Sequence, residues 1–160
     1  AYLIHLPNDV NDFEIARLTL TGPQLHGAIY GWFNQRVQLH ALEFRDFQYA
    51  GVRTYGTRLS RIHDCVFVDA GQRWSDGKPG VDGGITGGGI FAIWIADTEI
   101  SHNRFRITKH APNEHYYGIK GRQGRRLRIH HNTIETNFSI EFPFEGDEDV
   151  EIDHNVLAGT

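Results

Sequence analysis

Six short segments of the chain share one pattern of apolar and polar positions. In each six-residue segment the first and sixth positions are large and apolar. The segments begin at residues 15, 39, 62, 100, 129 and 152, so successive starts lie 24, 23, 38, 29 and 23 residues apart. A repeat of about 23 residues, lengthened twice by insertions, is typical of a solenoid, in which each repeat buries its apolar face against its neighbours.

The repeats predict an all-β fold. They contain short strands rich in β-branched residues with glycine-rich connections, and no stretch shows the 3.6-residue apolar period of a long helix. We therefore expect a right-handed parallel β-helix of about six coils in one domain over residues 1–160. The last repeat stops just after Leu157 with no polar cap, which predicts a C-terminally incomplete domain whose remaining coils lie on another segment or chain.

The fourth position of the repeat changes from apolar residues to asparagine along the chain. Asn103, Asn132 and Asn155 hold it in the last three repeats, and Cys65 holds it in the third. We predict that the three amides stack at one corner of the coils and hydrogen-bond to each other. Cys65 is predicted to continue this column as a buried thiol, and a single cysteine excludes a disulfide framework within the chain.

Histidines fill the two columns before the asparagines. The residues are His102, His131 and His154 in one column and His40, His63 and His130 in the other. Members of one column are spread about 4.8 Å apart along the stack, whereas a metal needs ligands that converge at bonding distance. We interpret these histidines as surface or corner residues and predict no metal site.

A second strand recurs in each coil, over residues 27–33, 50–56, 88–94, 117–122 and 138–143. Its aligned apolar residue is expected to point inward, so strand alternation predicts that both neighbours of that residue point outward. The preceding neighbours are small and would form the floor of a groove: Ala28, Gly51, Gly89, Gly118 and Ser139. The aromatic and charged residues on the other side would contact a ligand.

Aromatic rings interleaved with cations indicate a groove for an extended, anionic ligand with flat sugar rings. Sugars stack on aromatic faces, and arginine binds carboxylates with two hydrogen bonds. Two insertions, residues 71–88 and 108–116, are expected to wall this groove. The predicted substrate-binding residues are Arg53, Tyr30, Trp32, Tyr55, Phe91, Glu141, Arg73 and Trp74.

The residue types on this face favour β-elimination of a polyuronate. Lys120 is the lysine of the face, and Arg53 and Arg122 would lower its pKa so that its amine can act as a base. The two arginines would also bind the substrate carboxylate. Tyr116, His115 or Tyr55 would supply the proton to the leaving oxygen, so the predicted catalytic residues are Lys120, Tyr116, His115 and Arg122.

Two other functions stay open on the same residues. Glycoside hydrolysis generally needs two carboxylates, and the face offers Glu141 with Asp76 or Asp82 from an insertion. A non-catalytic β-helix that binds polysaccharide, of the adhesin or tailspike type, would use the aromatic and cationic side chains without any base.

The Ile-x-His-Asn-x-Phe repeat and the groove lysine resemble the parallel β-helix polysaccharide lyases, particularly alginate lyases of that fold. Residues 116–134 resemble the stretch that carries the lysine base in β-helix alginate and chondroitin lyases, which implies that Lys120 is the base. In the members with a Lys/Arg pair an arginine follows on the next coil, but residues 139–144 contain none. The departure favours a lyase with a Tyr/Lys pair, and it removes the support for the calcium that the Lys/Arg group uses. No cofactor is therefore predicted.

Net charge and hydropathy limit the classes of partner that the sequence predicts. The net charge is −4, so a general affinity for nucleic-acid phosphates is not expected. No apolar run is long enough to span a membrane, and no membrane partner is predicted. The expected partner is an anionic polysaccharide, and the expected location is secreted or periplasmic.

Overall fold

The chain forms a parallel β-helix in a computed structural model, which describes residues 1–71, 88–108, 116–136, 138–142 and 146–159. Eighteen strands occur in these ranges, and no helix there could span a membrane. The strands form three six-stranded sheets, and every described pair of neighbouring strands is parallel. The predicted all-β solenoid of six coils is confirmed.

Each coil contributes one strand to each sheet. Sheet A contains β1 (Tyr2–Leu6), β4 (Gly27–Trp32), β7 (Ala50–Tyr55), β10 (Gly88–Ile93), β13 (Tyr117–Arg122) and β16 (Phe138–Glu141). Sheet B contains β2 (Glu14–Ala16), β5 (Gln38–His40), β8 (Arg61–His63), β11 (Ala96–Ser101), β14 (Arg125–His130) and β17 (Glu148–Asp153). Sheet C contains β3 (Thr19–Thr21), β6 (Glu43–Arg45), β9 (Val66–Val68), β12 (Arg104–Arg106), β15 (Thr133–Glu135) and β18 (Val156–Ala158).

The corner between sheets B and C depends on a left-handed backbone residue in every coil. The third position of the repeat has φ between 48° and 58° in all six coils. Histidine holds this position in the last three, at His102, His131 and His154. Non-glycine residues adopt this conformation at a cost, and aspartate, asparagine and histidine tolerate it better than most. The repeated left-handed residue turns each coil by the same angle and so keeps the coils in register.

The predicted asparagine column is confirmed. Asn103 Nδ2 donates to Asn132 Oδ1 at 3.0 Å, and Asn132 Nδ2 donates to Asn155 Oδ1 at 3.0 Å. The same oxygens accept the backbone amides of Asn103 and Asn132. Cys65 continues the column: its amide donates to Asn103 Oδ1 at 3.0 Å, and burial raises the pKa of its thiol to about 11.

Asn132→Ala should destabilise the fold. The change removes the side-chain bonds to Asn103 and Asn155 on the two neighbouring coils and leaves the Ile100 carbonyl and the Asn103 amide without these partners, which costs roughly 1–3 kcal/mol for each unpaired group. Chemical denaturation measures the free energy of unfolding of Asn132→Ala. The same measurement on Asn155→Ala, a change in the last described coil, serves as the comparison. An Asn132→Ala protein as stable as the parent would contradict the structural role of the column.

The small residues of sheet A point into the core, so the prediction that they form an outer floor is wrong. A Cβ atom on Gly51 would lie 2.7 Å from Phe67, and one on Gly89 would lie 2.4 Å from Phe105. Ala28 is fully buried in the same core cluster. The aligned apolar residues, such as Ile90, also face the core, so two consecutive residues point inward and simple alternation fails there.

A substitution tests the direction of these glycines. Gly89→Ala would place a methyl group against the Phe105 ring and 3.0 Å from the Gly118 carbonyl oxygen, so we expect a loss of about 1–3 kcal/mol through overpacking. Ser139→Ala, in the same column of a later coil, is a milder control because it adds no volume. Equal unfolding midpoints for Gly89→Ala and the parent would indicate an outward-facing residue instead.

The last described coil is more exposed than the coils inside the stack. Leu157 of β18 is 52% exposed, whereas Ile134, its partner on β15, is fully buried. Burial in the stack thus comes from neighbouring coils on both sides. The continuation of the stack by further coils stays a prediction.

Candidate functional site

The outer face of sheet A carries the residues predicted to bind and cleave the ligand. One column across neighbouring strands reads Tyr30, Arg53, Phe91, Lys120 and Glu141. A second column, two residues further along each strand, reads Trp32, Tyr55, Ile93 and Arg122. Neighbouring parallel strands lie about 4.8 Å apart, so the first column extends over roughly 19 Å. The predicted register of this face is confirmed, whereas the functional roles of its residues stay predictions.

The N-terminal half of this face is a strip of aromatic rings. Tyr30 lies 4.9 Å from Tyr2, and Trp32 lies 4.9 Å from Tyr55, as measured between ring centroids. His5 adds a ring 5.3 Å from Tyr30. Tyr30, Trp32 and Tyr55 are each partly exposed, so the strip offers several ring faces and phenol groups to a ligand.

Arg53 lies in a cage of aromatic side chains. Its guanidinium carbon is 5.0 Å from the Tyr49 ring centroid and 5.1 Å from that of Tyr55, at distances typical of cation–π contacts. Nη1 approaches the Tyr2 hydroxyl at 3.5 Å, Nη2 donates to the Tyr55 hydroxyl, and the buried Nε has no hydrogen-bond partner. Among the residues that the structure describes, the positive charge is therefore surrounded by rings and phenol oxygens rather than by a carboxylate.

Phe91 occupies the outer face but is fully buried. Its ring meets Tyr49 edge-on at 5.8 Å between centroids, and the Arg53 guanidinium lies 5.8 Å from its centre. Tyr49, Ala50 and Phe91 form a small apolar cluster separate from the main core. In this structure Phe91 supports Arg53 and Tyr49, and its predicted contact with a ligand stays untested.

Lys120 is held in a buried polar contact beside an aromatic ring. Its side chain is 6% exposed, and Nζ lies 3.2 Å from Glu141 Oε2 and 4.0 Å from the centre of the Tyr117 ring. Burial lowers the pKa of Lys120, and Arg122 adds to the lowering, while the Glu141 carboxylate opposes it. The predicted direction of the shift is therefore present.

The cause of that shift differs in part from the prediction. Arg53 was expected to lower the pKa of Lys120, but it lies two strands away, with Phe91 between them. Burial is the main cause, and Arg122 is the arginine that contributes. A period-based argument cannot foresee this result, because it gives the column of a residue but not how much of its side chain is covered.

The predicted proton donors occupy different places. Tyr116 directly precedes β13 and is buried, one residue before the ring that contacts Lys120. Tyr55 is two strands from the strand of Lys120, about 10 Å away by strand spacing. The remaining predicted residues, His115, Arg73 and Trp74, lie outside the described residues, as do Asp76 and Asp82.

Glu141 is the only carboxylate on the described strands of sheet A. It is engaged with Lys120, so the described part of the face holds no pair of carboxylates flanking a common space.

Several residues of this face were missed by the sequence argument. Strand β1 was not predicted, although its alternating residues Tyr2 to Leu6 carry a strand signal, and it contributes Tyr2 and His5. Tyr117 was missed because the two consecutive inward residues shift the outward positions, whereas Tyr49 directly precedes β7 and lay outside the segment considered. The outward column at that end of the strands contains Ala50, Gly88 and Tyr117.

A separate cavity of about 430 Å³ lies at the corner between sheets A and B. It is lined by Trp94, Arg58, Arg125, Arg126 and Glu148, among others. Arg125 pairs with Glu148 at 2.6 Å and Arg126 with Asp97 at 2.5 Å, so two of its cations are already neutralised. The outer face of sheet A, where Arg53 has aromatic neighbours, is the better candidate for binding an anion.

The family model for the right-handed beta helix region matches residues 27–160. The chain belongs to this family. Membership confirms the predicted hand of the helix, and it fits a protein that acts on or binds polysaccharides. Comparison with the curated proteins and with the solved structures gave no match.

Proposed function

We propose that this β-helix is a polysaccharide lyase that cleaves an anionic polyuronate by β-elimination on the outer face of sheet A, with alginate as the first substrate to test. The observation that carries the proposal is Lys120, a buried amine with a lowered pKa on a face that also holds aromatic rings and arginines. A lysine amine acts as a general base only when it is unprotonated, and burial favours that form. Since polyuronates of this kind lie outside the cytoplasm, the proposal includes a secreted or periplasmic protein.

In the proposed reaction the chain of sugars runs along the stack. Its rings lie on Tyr30, Trp32 and Tyr55, and the column of about 19 Å accommodates roughly four sugar units. Arg53 and Arg122 bind carboxylates and so favour the negative charge that develops when the C5 proton leaves. Lys120 Nζ takes that proton, the C4–O bond breaks as the C4–C5 double bond forms, and Tyr116, His115 or Tyr55 protonates the leaving oxygen.

Lys120→Ala should lower turnover by at least about 100-fold while leaving the fold intact, because loss of a general base removes that much or more. The assay follows the ultraviolet absorbance of unsaturated uronates with alginate and with polyglucuronate. Circular dichroism verifies the fold of the variant. Near-normal elimination by folded Lys120→Ala would end the assignment of the base.

Glu141→Gln should shift the pH profile of elimination to lower pH. The Glu141 carboxylate raises the pKa of Lys120, so its neutralisation lowers that pKa and leaves the amine unprotonated at lower pH. The rate of the parent should rise as pH increases through the pKa of Lys120, and the variant should rise earlier. If the protein were instead a hydrolase that uses Glu141, the parent would release reducing ends without ultraviolet absorbance. Glu141→Gln would then abolish this activity.

Arg53→Ala should mainly weaken binding, because the residue lies two strands from Lys120 and would contact a neighbouring sugar. We expect KM to rise several-fold with a smaller change in kcat. Arg45→Ala, on the exposed surface of β6, is a matched control that removes the same charge elsewhere. A loss confined to kcat would place Arg53 at the reacting sugar instead.

A binding protein without catalysis is the second candidate. The observation in its favour is the close contact of Lys120 with Glu141 together with its small exposure, which makes Lys120 a stable structural ion pair as it stands. Polysaccharide binding that depends on Arg53 and Tyr55, with neither unsaturated nor reducing ends formed, would establish this alternative.

A further inference from the structure

A cluster of two histidines and one aspartate lies at the corner between sheets B and C, away from the face of sheet A. His130 ends β14, Asp153 is its register partner on β17, and His131 follows His130 in the chain. One ligand atom from each of the three residues lies within 4.8 Å of the other two. The sequence argument considered each column by itself, whereas this cluster combines two adjacent columns.

His130 is the fixed member of the cluster. It is buried, and its Nε2 lies 3.2 Å from Glu99 Oε1, which also accepts the Ser101 hydroxyl at 2.9 Å. Glu99 Oε2 receives Arg61 at 2.6 Å, so this carboxylate is ionised and can only accept hydrogen bonds. The proton of a neutral His130 ring therefore lies on Nε2, and the lone pair lies on Nδ1. A carboxylate on the far nitrogen is the usual support of a metal-binding histidine.

The lone pair of His130 Nδ1 points at His131. The two Nδ1 atoms are 2.7 Å apart, so without a metal His131 donates its Nδ1 proton to His130. The ring of His131 is oriented by stacking between His102 and His154, each 5.0 Å away with interplanar angles of 7° and 3°. If the His131 proton moves to its solvent-side Nε2, both Nδ1 atoms present lone pairs to the same point.

Asp153 supplies the third ligand. Arg128 Nη2 lies 3.3 Å from Asp153 Oδ2, whereas the solvent-shielded Oδ1 accepts no hydrogen bond of good geometry, although His154 Nδ1 lies 3.3 Å from it. A shielded carboxylate oxygen without a hydrogen bond is costly, and a cation would satisfy it.

We propose that His130, His131 and Asp153 bind one divalent transition-metal ion of the Zn²⁺ type. Zinc is bound by imidazole nitrogen and carboxylate oxygen at about 2.0–2.2 Å, so tetrahedral ligand atoms lie about 3.3 Å apart. The cluster reaches that geometry when the two Nδ1 atoms, now 2.7 Å apart, separate by about 0.6 Å and the Asp153 oxygen approaches by up to about 1.5 Å, and water completes the coordination. Asp153 ends β17 in the last described coil and His130 ends β14, so the ion would cross-link these two strands.

The test is titration of the metal-free full chain with Zn²⁺ by calorimetry, with Co²⁺ absorption as a report of ligand geometry. We expect one ion per chain, a tetrahedral Co²⁺ spectrum and a rise in Tm when Zn²⁺ is present, because the ion binds the folded chain. His131→Ala should weaken binding by at least about tenfold, in the range found on loss of metal-site partners. Asp153→Asn, which keeps the size of the side chain, should also weaken it.

His63→Ala is the matched control. His63 stacks on His40 at 5.0 Å in the same column as His130, on an earlier coil, and it lies outside the proposed site. The control should keep the affinity, the stoichiometry and the rise in Tm of the parent. Failure of the parent to bind Zn²⁺, unchanged binding by His131→Ala and Asp153→Asn, or an equal loss in His63→Ala would each overturn the site. None of these results depends on the proposed lyase activity.

Discussion

Parallel hydrogen bonding between successive coils is the constraint on which the rest of this structure depends. Each inner strand is bonded to the strand one coil before and one coil after, so the position of a residue within its coil decides its neighbours. A change of one residue in the length of a coil would move its apolar side chains to the other face. The left-handed residue at the corner of sheets B and C recurs in all six coils and holds them against such a slip, and the asparagine column adds hydrogen bonds between the last three coils.

The same constraint explains why the sequence predicts much of the fold. The spacing of apolar residues and the recurrence of asparagine are direct consequences of stacking, so the coils, the buried Cys65 and the amide column follow from them. The direction of Gly51 and Gly89 could not be predicted in this way. At these positions two consecutive residues face the core, and the reason is the large ring of Phe67 or Phe105 on sheet C, which fills the space where a Cβ would stand. That reason is a packing contact between sheets, and no period within the chain encodes it.

The candidate site was predicted to a similar extent. Register placed Arg53, Phe91, Lys120 and Glu141 in one column, since register is a property of the repeat. The burial of a side chain is not a property of the repeat. Burial decides that Phe91 supports its neighbours and that the pKa of Lys120 is lowered. Strand β1 shows a further limit, because a single strand at the end of the pattern has no complete repeat around it by which to be recognised.

The outer faces of sheets A and B differ in how they treat charge. On sheet B, charged residues pair between neighbouring coils, as in Arg61 with Glu99 and Arg125 with Glu148, and such exposed pairs neutralise each other at little gain in stability. On sheet A, Arg53 is surrounded by rings, and Lys120 is buried with one carboxylate among the strands. The described strands of sheet A carry three cations, Arg53, Lys120 and Arg122, but one carboxylate, Glu141, so this face has a local excess of positive charge although the net charge of the protein is −4. Such a local charge acts over about a Debye length of 8–10 Å. This unequal distribution, more than the fold itself, is the physical argument for placing function on sheet A, since the stacking of coils would be equally well served by the paired charges of sheet B.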